Sequence, residues 1–231
     1  MAVTAVIFDF FGTLTPSTPA SVWDDHAARS AAPLGIPARA WRAVLDASFP
    51  DRATGGLGDL TATFRTLARR LGVDPGEEAL AAACAARMAT QRELFGLRAD
   101  AVSVLTELRS RGLRLGVLSD CPAELAETWP RLPVAGLVDA RVLSCEEGRR
   151  KPDPELFRLI ADRLGVGPPD CIYVGDGGGR ELTGATRCGM RAFMLRAADW
   201  ADDGGAARED DWAGPALLSL TDVLTLVPVS Q

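Results

Sequence analysis

An α/β chain built on a doubly wound parallel sheet is what this sequence predicts, and three observations carry that expectation. Short apolar runs at 5–9, 113–119, 141–144, 171–176 and 191–195 mostly lack the alternation of a half-exposed strand. Continuous runs of that kind belong to strands covered on both faces. Helical stretches lie between them at 99–111, 123–131, 153–164 and 181–188, and three of the four close on Gly112, Gly165 or Gly189. Glycine there supplies the left-handed residue that ends a helix. The connections are short, so strand and helix alternate as in βαβ units.

In chain order, the first run is followed by a break in that rhythm. Residues 15–98 offer helical segments at 20–31, 38–47, 59–71 and 76–93 and no convincing strand. An insertion of about 80 residues is too long for a loop and reads as a lid or cap. The expected division is an α/β core of residues 1–14 and 99–231 and a helical cap of residues 15–98. Residues 199–211 are acidic and read as a solvated loop, and 217–227 supply a last apolar segment to pack on the sheet.

Composition narrows the function classes. The chain has 231 residues, 47% hydrophobic and 24% charged, with a net charge of −6. An acidic balance argues against nucleic acid or an anionic membrane as the main partner. No apolar run approaches the roughly 20 residues of a membrane span, and the N-terminus lacks a signal-like pattern, so the expectation is a cytoplasmic protein, monomer or homodimer. The five cysteines are scattered without a CxxC pair, as reduced structural thiols would be. Of the 25 basic residues only Lys151 is a lysine.

Four chemical groups fall at the ends of the expected strands: Asp9, Ser119 with Asp120, Lys151, and Asp176 with Glu181. In a parallel sheet they converge on one carboxyl edge, where α/β proteins place their sites. Carboxylates, a hydroxyl and an ammonium together suit displacement at an anionic, electrophilic centre. A carboxylate can attack and split one hard step into two. Thr13 and Ser119 can hydrogen-bond anionic oxygens, and backbone amides after Asp9 can form an anion nest. Lys151 offsets negative charge, and Asp176 backed by Glu181 can hold a hard divalent cation such as Mg²⁺.

These stretches resemble the motifs of the haloacid dehalogenase-like hydrolase superfamily with a helical cap inserted after the first motif. The motifs are Asp9-Phe10-Phe11-Gly12-Thr13-Leu14, Leu118-Ser119-Asp120, Lys151-Pro152-Asp153-Pro154 and Gly175-Asp176 through Glu181. The resemblance covers essentially the whole chain and implies a Rossmann-like core. It implies Asp9 as nucleophile, with Thr13, Ser119 and Lys151 completing the catalytic set. Ser119, Asp120, Gly12 and Arg52 are the implied contacts to a small anionic substrate. Mg²⁺ would be held by Asp9, the Phe11 backbone carbonyl and Asp176.

Phe11 departs from the pattern. Phosphatases of the superfamily carry a second Asp there, which protonates the leaving oxygen and then activates water. The metal-free 2-haloacid dehalogenases carry an aromatic residue instead, since a halide needs no proton. Motif four is similar to the Mg²⁺-dependent branch. The sequence therefore points to Mg²⁺-dependent hydrolysis of a small phosphorylated metabolite through a phosphoaspartate. The alternatives are a metal-free dehalogenase-type hydrolase and a weakly catalytic binder of phosphorylated ligands. His26, or an Asp or Glu of the cap, is the candidate source of the missing proton, although His26 reads first as a solvated helix residue. Arg149 and Arg150 read as surface residues, and the tryptophans as packing.

Overall fold

The computed structural model describes residues 3–200 and 208–227. Six parallel strands form one sheet: β1 (Ala5–Phe8), β2 (Arg114–Ser119), β3 (Ala140–Leu143), β4 (Cys171–Gly175), β5 (Arg191–Leu195) and β6 (Ala216–Leu217). Their spatial order is β3-β2-β1-β4-β5-β6, so the chain winds outward in both directions from β1. The expected doubly wound α/β architecture is present.

The sheet is covered on both faces, as its unbroken apolar strands require. Val6 and Phe8 of β1 turn into one cluster with Leu105 and Leu108 of α6 (Ala101–Ser110). Ala5 and Ile7 turn the other way, joining Phe157 and Ile160 of α9 (Pro154–Leu164) and Leu182 of α10 (Glu181–Arg187). Burying each such side chain contributes about 1.5–3 kcal/mol.

Residues 20–94 form a separate helical layer: α1 (Ala20–Ala31), α2 (Ala38–Ala47), α3 (Phe49–Ala53), α4 (Leu60–Arg70) and α5 (Glu77–Leu94). It has its own core, in which Trp41 meets Phe64 edge-on at 5.0 Å and donates to Ser30 Oγ at 3.0 Å. Asp59 caps α4 by accepting from the Ala62 amide at 2.8 Å. The short α3 lies between the expected helical segments 38–47 and 59–71; Pro50 in its first turn is suited to a helix start. Two short helices lie on the sheet side, α7 (Ala123–Thr128) and α8 (Ser144–Glu147).

Among the described residues, specific contacts join the helical layer to the sheet domain. Arg87 of α5 pairs with Glu124 of α7 at 2.9 Å, both buried. Arg150 stacks over Phe49 at 5.0 Å. The Gly55 backbone lies so close to the Cys145 carbonyl that a Cβ there would stand 2.4 Å from it. With φ at +70°, Gly55 has a second reason to be glycine.

Where it is described the acidic stretch is solvated at Asp199, Asp210 and Asp211 but not at Glu209; residues 201–207 lie outside the described residues. Asp199 pairs with Arg98 at 2.5 Å, and Glu209 is fully buried, accepting from the Leu182 and Thr183 amides. Those amides open α10 and have no partner within the helix, so a carboxylate satisfies them. Among the described residues no helix is long and apolar enough to cross a membrane.

Candidate active site

Register places the site. Phe8 ends β1 opposite Val117 of β2 and Val174 of β4, so Asp9 emerges between the ends of both neighbours. Its amide donates to the Val174 carbonyl at 2.9 Å, which pins the backbone as the strand stops. The chain then turns through Gly12, at φ +72°. A Cβ on Gly12 would stand 2.4 Å from Asp176 Oδ2, so only glycine lets the two loops meet.

Lys151 joins the motifs. Its Nζ donates to Asp9 Oδ1 at 2.7 Å and to Glu181 Oε2 at 2.5 Å, all three groups being buried. Glu181 is held further by Tyr173 Oη, the chain's one tyrosine, at 2.7 Å and by the Gly177 amide at 2.9 Å. Gly175 makes room for it, because a Cβ there would fall 2.1 Å from Glu181 Oε1. Burial pushes the Asp9 carboxyl up to about 6, partly offset by Lys151 and reinforced by Asp176. Burial alone would draw Lys151 down, but Asp9 and Glu181 hold it well above its ordinary value. Lys151 therefore stays charged, and Asp9 is poised close to neutral pH.

Carboxylate oxygens of Asp9, Asp176 and Glu181 lie within 4.8 Å of one another. Glu181 is fully buried behind Lys151 and accepts three hydrogen bonds, whereas Asp9 and Asp176 line the cavity, so those two are the carboxylates a cation can reach. Two hard oxygen donors fit Mg²⁺, which takes one or two carboxylates and keeps several waters. Asp176 also accepts from the Gly178 amide at 3.0 Å and from Arg208 Nε at 3.2 Å.

A cavity of about 690 Å³ opens over these groups. Asp9, Phe11, Gly12, Asp120, Lys151 and Asp176 line its sheet side. The helical layer contributes Trp23, Arg42, Asp46, Phe49, Arg52 and Arg87. Arg52 is 8% exposed; it donates to Ser48 Oγ at 3.2 Å and to the Leu45 carbonyl at 2.9 Å, and no carboxylate pairs with it among the described residues. Burial draws its pKa down to about 10. Glu124 and Asp46 act on it only at longer range, so the guanidinium keeps capacity for an anionic guest.

The structure thus brings Asp9, Phe11, Gly12, Asp120, Lys151, Asp176 and Arg52 to one cavity. Thr13 and Ser119 are fully buried beside it rather than lining it, and neither hydroxyl has a hydrogen-bond partner. Asp120 accepts from the Lys151 amide at 3.0 Å and from Arg150 at 3.3 Å. Arg150 therefore belongs to the cavity wall, while Arg149 is exposed as expected. His26 is not solvated: it is fully buried, off the cavity, with Glu93 at 3.4 Å, and burial lowers its pKa. Asp46, held by Arg42 at 2.8 Å, is the helical layer's carboxylate in the cavity wall. Sequence reading missed the Arg87–Glu124 pair, Tyr173 and Arg208. Tyr173 had a signal in being the single tyrosine of a strand that ends in the site; the other two had none.

Comparison with known proteins finds relatives by sequence and by fold. The family model of haloacid dehalogenase-like hydrolases matches residues 3–189. A glyceraldehyde 3-phosphate phosphatase of Methanopyrus kandleri is 35% identical over 140 residues, which span 60% of this chain and 60% of that protein. A Mycobacterium tuberculosis phosphatase is 30% identical over 209 residues, 88% of this chain and 92% of the relative. Among solved structures, a phosphatase of the same superfamily from Thermococcus onnurineus has a TM-score of 0.64 at 19% identity, covering 99% of each chain, which is a likeness of fold.

Proposed function

The chain belongs to the haloacid dehalogenase-like hydrolases, and from that premise we propose that it hydrolyses a small phosphorylated metabolite through an aspartyl-phosphate on Asp9, with Mg²⁺ as cofactor. The observation that carries this reading is the meeting of Asp9, Lys151 and Asp176 at one cavity, with Asp9 and Asp176 both able to take a cation. The phosphatase names of the relatives support the substrate class.

In this mechanism the ionised Asp9 attacks phosphorus, and the bond to the leaving oxygen breaks as the acyl-phosphate forms. Lys151, charged and fixed by Glu181, faces Asp9 and offsets the charge accumulating there. Water then attacks phosphorus, freeing phosphate and restoring the carboxylate. Bound between Asp9 and Asp176, with the Phe11 carbonyl as a third donor, Mg²⁺ would screen repulsion between nucleophile and phosphate. The unpartnered Thr13 and Ser119 hydroxyls are suited to hold phosphoryl oxygens. Residues 15–98 act as the cap, and Arg52 receives a second anionic group of the substrate.

Phe11 sets the substrate's other requirement. Its ring packs 5.1 Å from Phe10 and 6.1 Å from Phe95, and no acid stands in its place. Leaving groups that depart without a proton, such as acyl or aryl phosphates, are therefore favoured. The same observation supports a second reading, metal-free hydrolysis of a 2-haloacid through an Asp9 ester. A panel of acyl phosphates, phosphomonoesters and 2-haloacids, run with Mg²⁺ and with EDTA, separates the two. Phosphate release that stops in EDTA is expected; halide release that survives EDTA would overturn the phosphatase reading.

A further inference from the structure

Beside the site, two cysteines from neighbouring loops face one another. Cys121 follows Asp120 at the end of β2 and is fully buried, and Cys145 lies in the first turn of α8, partly exposed. Their sulfurs are 3.9 Å apart. The loops are fastened together as well, since the Cys121 amide donates to Ser144 Oγ at 2.9 Å and that hydroxyl approaches the Cys121 carbonyl at 3.3 Å. The two thiols therefore meet at a separation that the backbone maintains.

The pair is also asymmetric. Burial pushes the Cys121 thiol up, whereas contact with the Cys121 thiol draws Cys145 down. Burial raises Cys84, Cys171 and Cys188. An accessible, more acidic thiol beside a buried one is the arrangement of an attacking and a resolving cysteine.

We propose that Cys121 and Cys145 form a peroxide-responsive dithiol that closes to a disulfide and restrains the loop carrying Ser119 and Asp120. The Cys145 thiolate attacks one oxygen of a peroxide; the O–O bond breaks, leaving Cys145 sulfenic acid and an alcohol or water. Cys121 then attacks the Cys145 sulfur and expels hydroxide, which leaves as water with the Cys121 proton. The peroxide is reduced by two electrons and the two thiols are oxidised by two. A dithiol reductant reverses the step.

Closing the gap from 3.9 Å to a sulfur–sulfur bond of about 2.05 Å cross-links the two loops covalently. Asp120, adjacent to Cys121, holds the Lys151 amide and Arg150, so the restraint falls on the loop that positions the lysine opposite Asp9. The effect on turnover rests on the phosphatase reading above, whereas disulfide formation does not.

The test treats the reduced full-length protein with hydrogen peroxide, alkylates the remaining thiols and maps peptides by mass. The expected product is a Cys121–Cys145 linked peptide two hydrogens lighter, lost on reduction with dithiothreitol. In Cys121→Ser, dimedone is expected to label Cys145. Labelling of Cys84, Cys171 or Cys188 instead, or a Cys145 sulfinate with no linked peptide, would overturn the proposal. Hydrolysis of p-nitrophenyl phosphate with Mg²⁺ should fall roughly tenfold or more on oxidation, since ångström misplacements cost up to about 10²-fold. Cys145→Ser should keep its rate through the same treatment. A linked peptide with unchanged turnover refutes the restraint on the site. A linked peptide in a protein whose reduced form hydrolyses no phosphate ester upholds the dithiol and removes the phosphatase reading.

Discussion

Replacing Phe11 with Asp tests whether a missing acid limits this site. The backbone permits it, because Phe11 sits at φ −75°, ψ 132°, where aspartate is unstrained. The cost is packing. The ring is half-buried and edge-on to Phe10, a pair worth about 0.5–1.5 kcal/mol beyond its area. With partial burial lost as well, the variant should be about 2–3 kcal/mol less stable, within the usual reserve of a folded domain. The gain is a proton donor two residues from the nucleophile. General acid–base catalysis contributes about 10²–10⁴-fold, and an unoptimised carboxyl should reach the lower end, about 10²-fold or roughly 2.7 kcal/mol. The assay is kcat/KM across alkyl and aryl phosphates of graded leaving-group pKa, with thermal melting as a check on folding. Wild type should depend steeply on the leaving group, and Phe11→Asp shallowly, with the gain confined to poor leaving groups. A folded variant with the wild-type slope and rates would mean that the proton comes from elsewhere.

Three further outcomes are expected. Asp9→Asn should abolish turnover and change the pH dependence of stability in EDTA. The Asp9 carboxyl titrates near 6 when folded against about 3.9 unfolded, so its contribution is complete below pH 4 and is lost as pH rises through 6. The wild-type stability minus that of Asp9→Asn should therefore fall by about 2 kcal/mol between pH 4 and 6.5 in denaturant titrations; a flat difference would contradict the buried placement. Arg52→Gln should raise KM about tenfold or more for phosphorylated carboxylic acids while leaving p-nitrophenyl phosphate nearly unchanged, and an equal change for both would remove Arg52 as the second-anion contact. Gly175→Ala should destabilise the fold by about 3 kcal/mol or more, because the new methyl meets a Glu181 carboxylate fixed by three hydrogen bonds; a wild-type melting temperature would show that Glu181 can move aside.

What the sequence disclosed follows from what each residue needs. Asp9, Lys151 and Asp176 were legible because each ends or follows a strand, and a parallel sheet delivers all such ends to one edge. The strand limits were nearly right for a related reason: full burial leaves a continuous apolar run, as in the Ala-Val-Ile-Phe of β1. Arg87 and Glu124 were not legible, since they lie 37 residues apart on separate helices and each alone looks like a solvated charge. His26 failed likewise, because a polar residue reads as exposed until its helix is seen packed against α2 and α5. Glu181 reads from sequence as backing Asp176. The structure keeps it within 4.8 Å of Asp9 and Asp176 and adds what the sequence could not show, its hold on Lys151 and its bond from Tyr173.

The buried Arg87–Glu124 bridge has a consequence for entry into the chamber. An oily seam resists parting because water must wet it, whereas two ions recover their hydration when they separate. Parting the helices from the sheet along this line therefore exposes two ions that water can take up, which offsets part of the cost of wetting the apolar contacts around them.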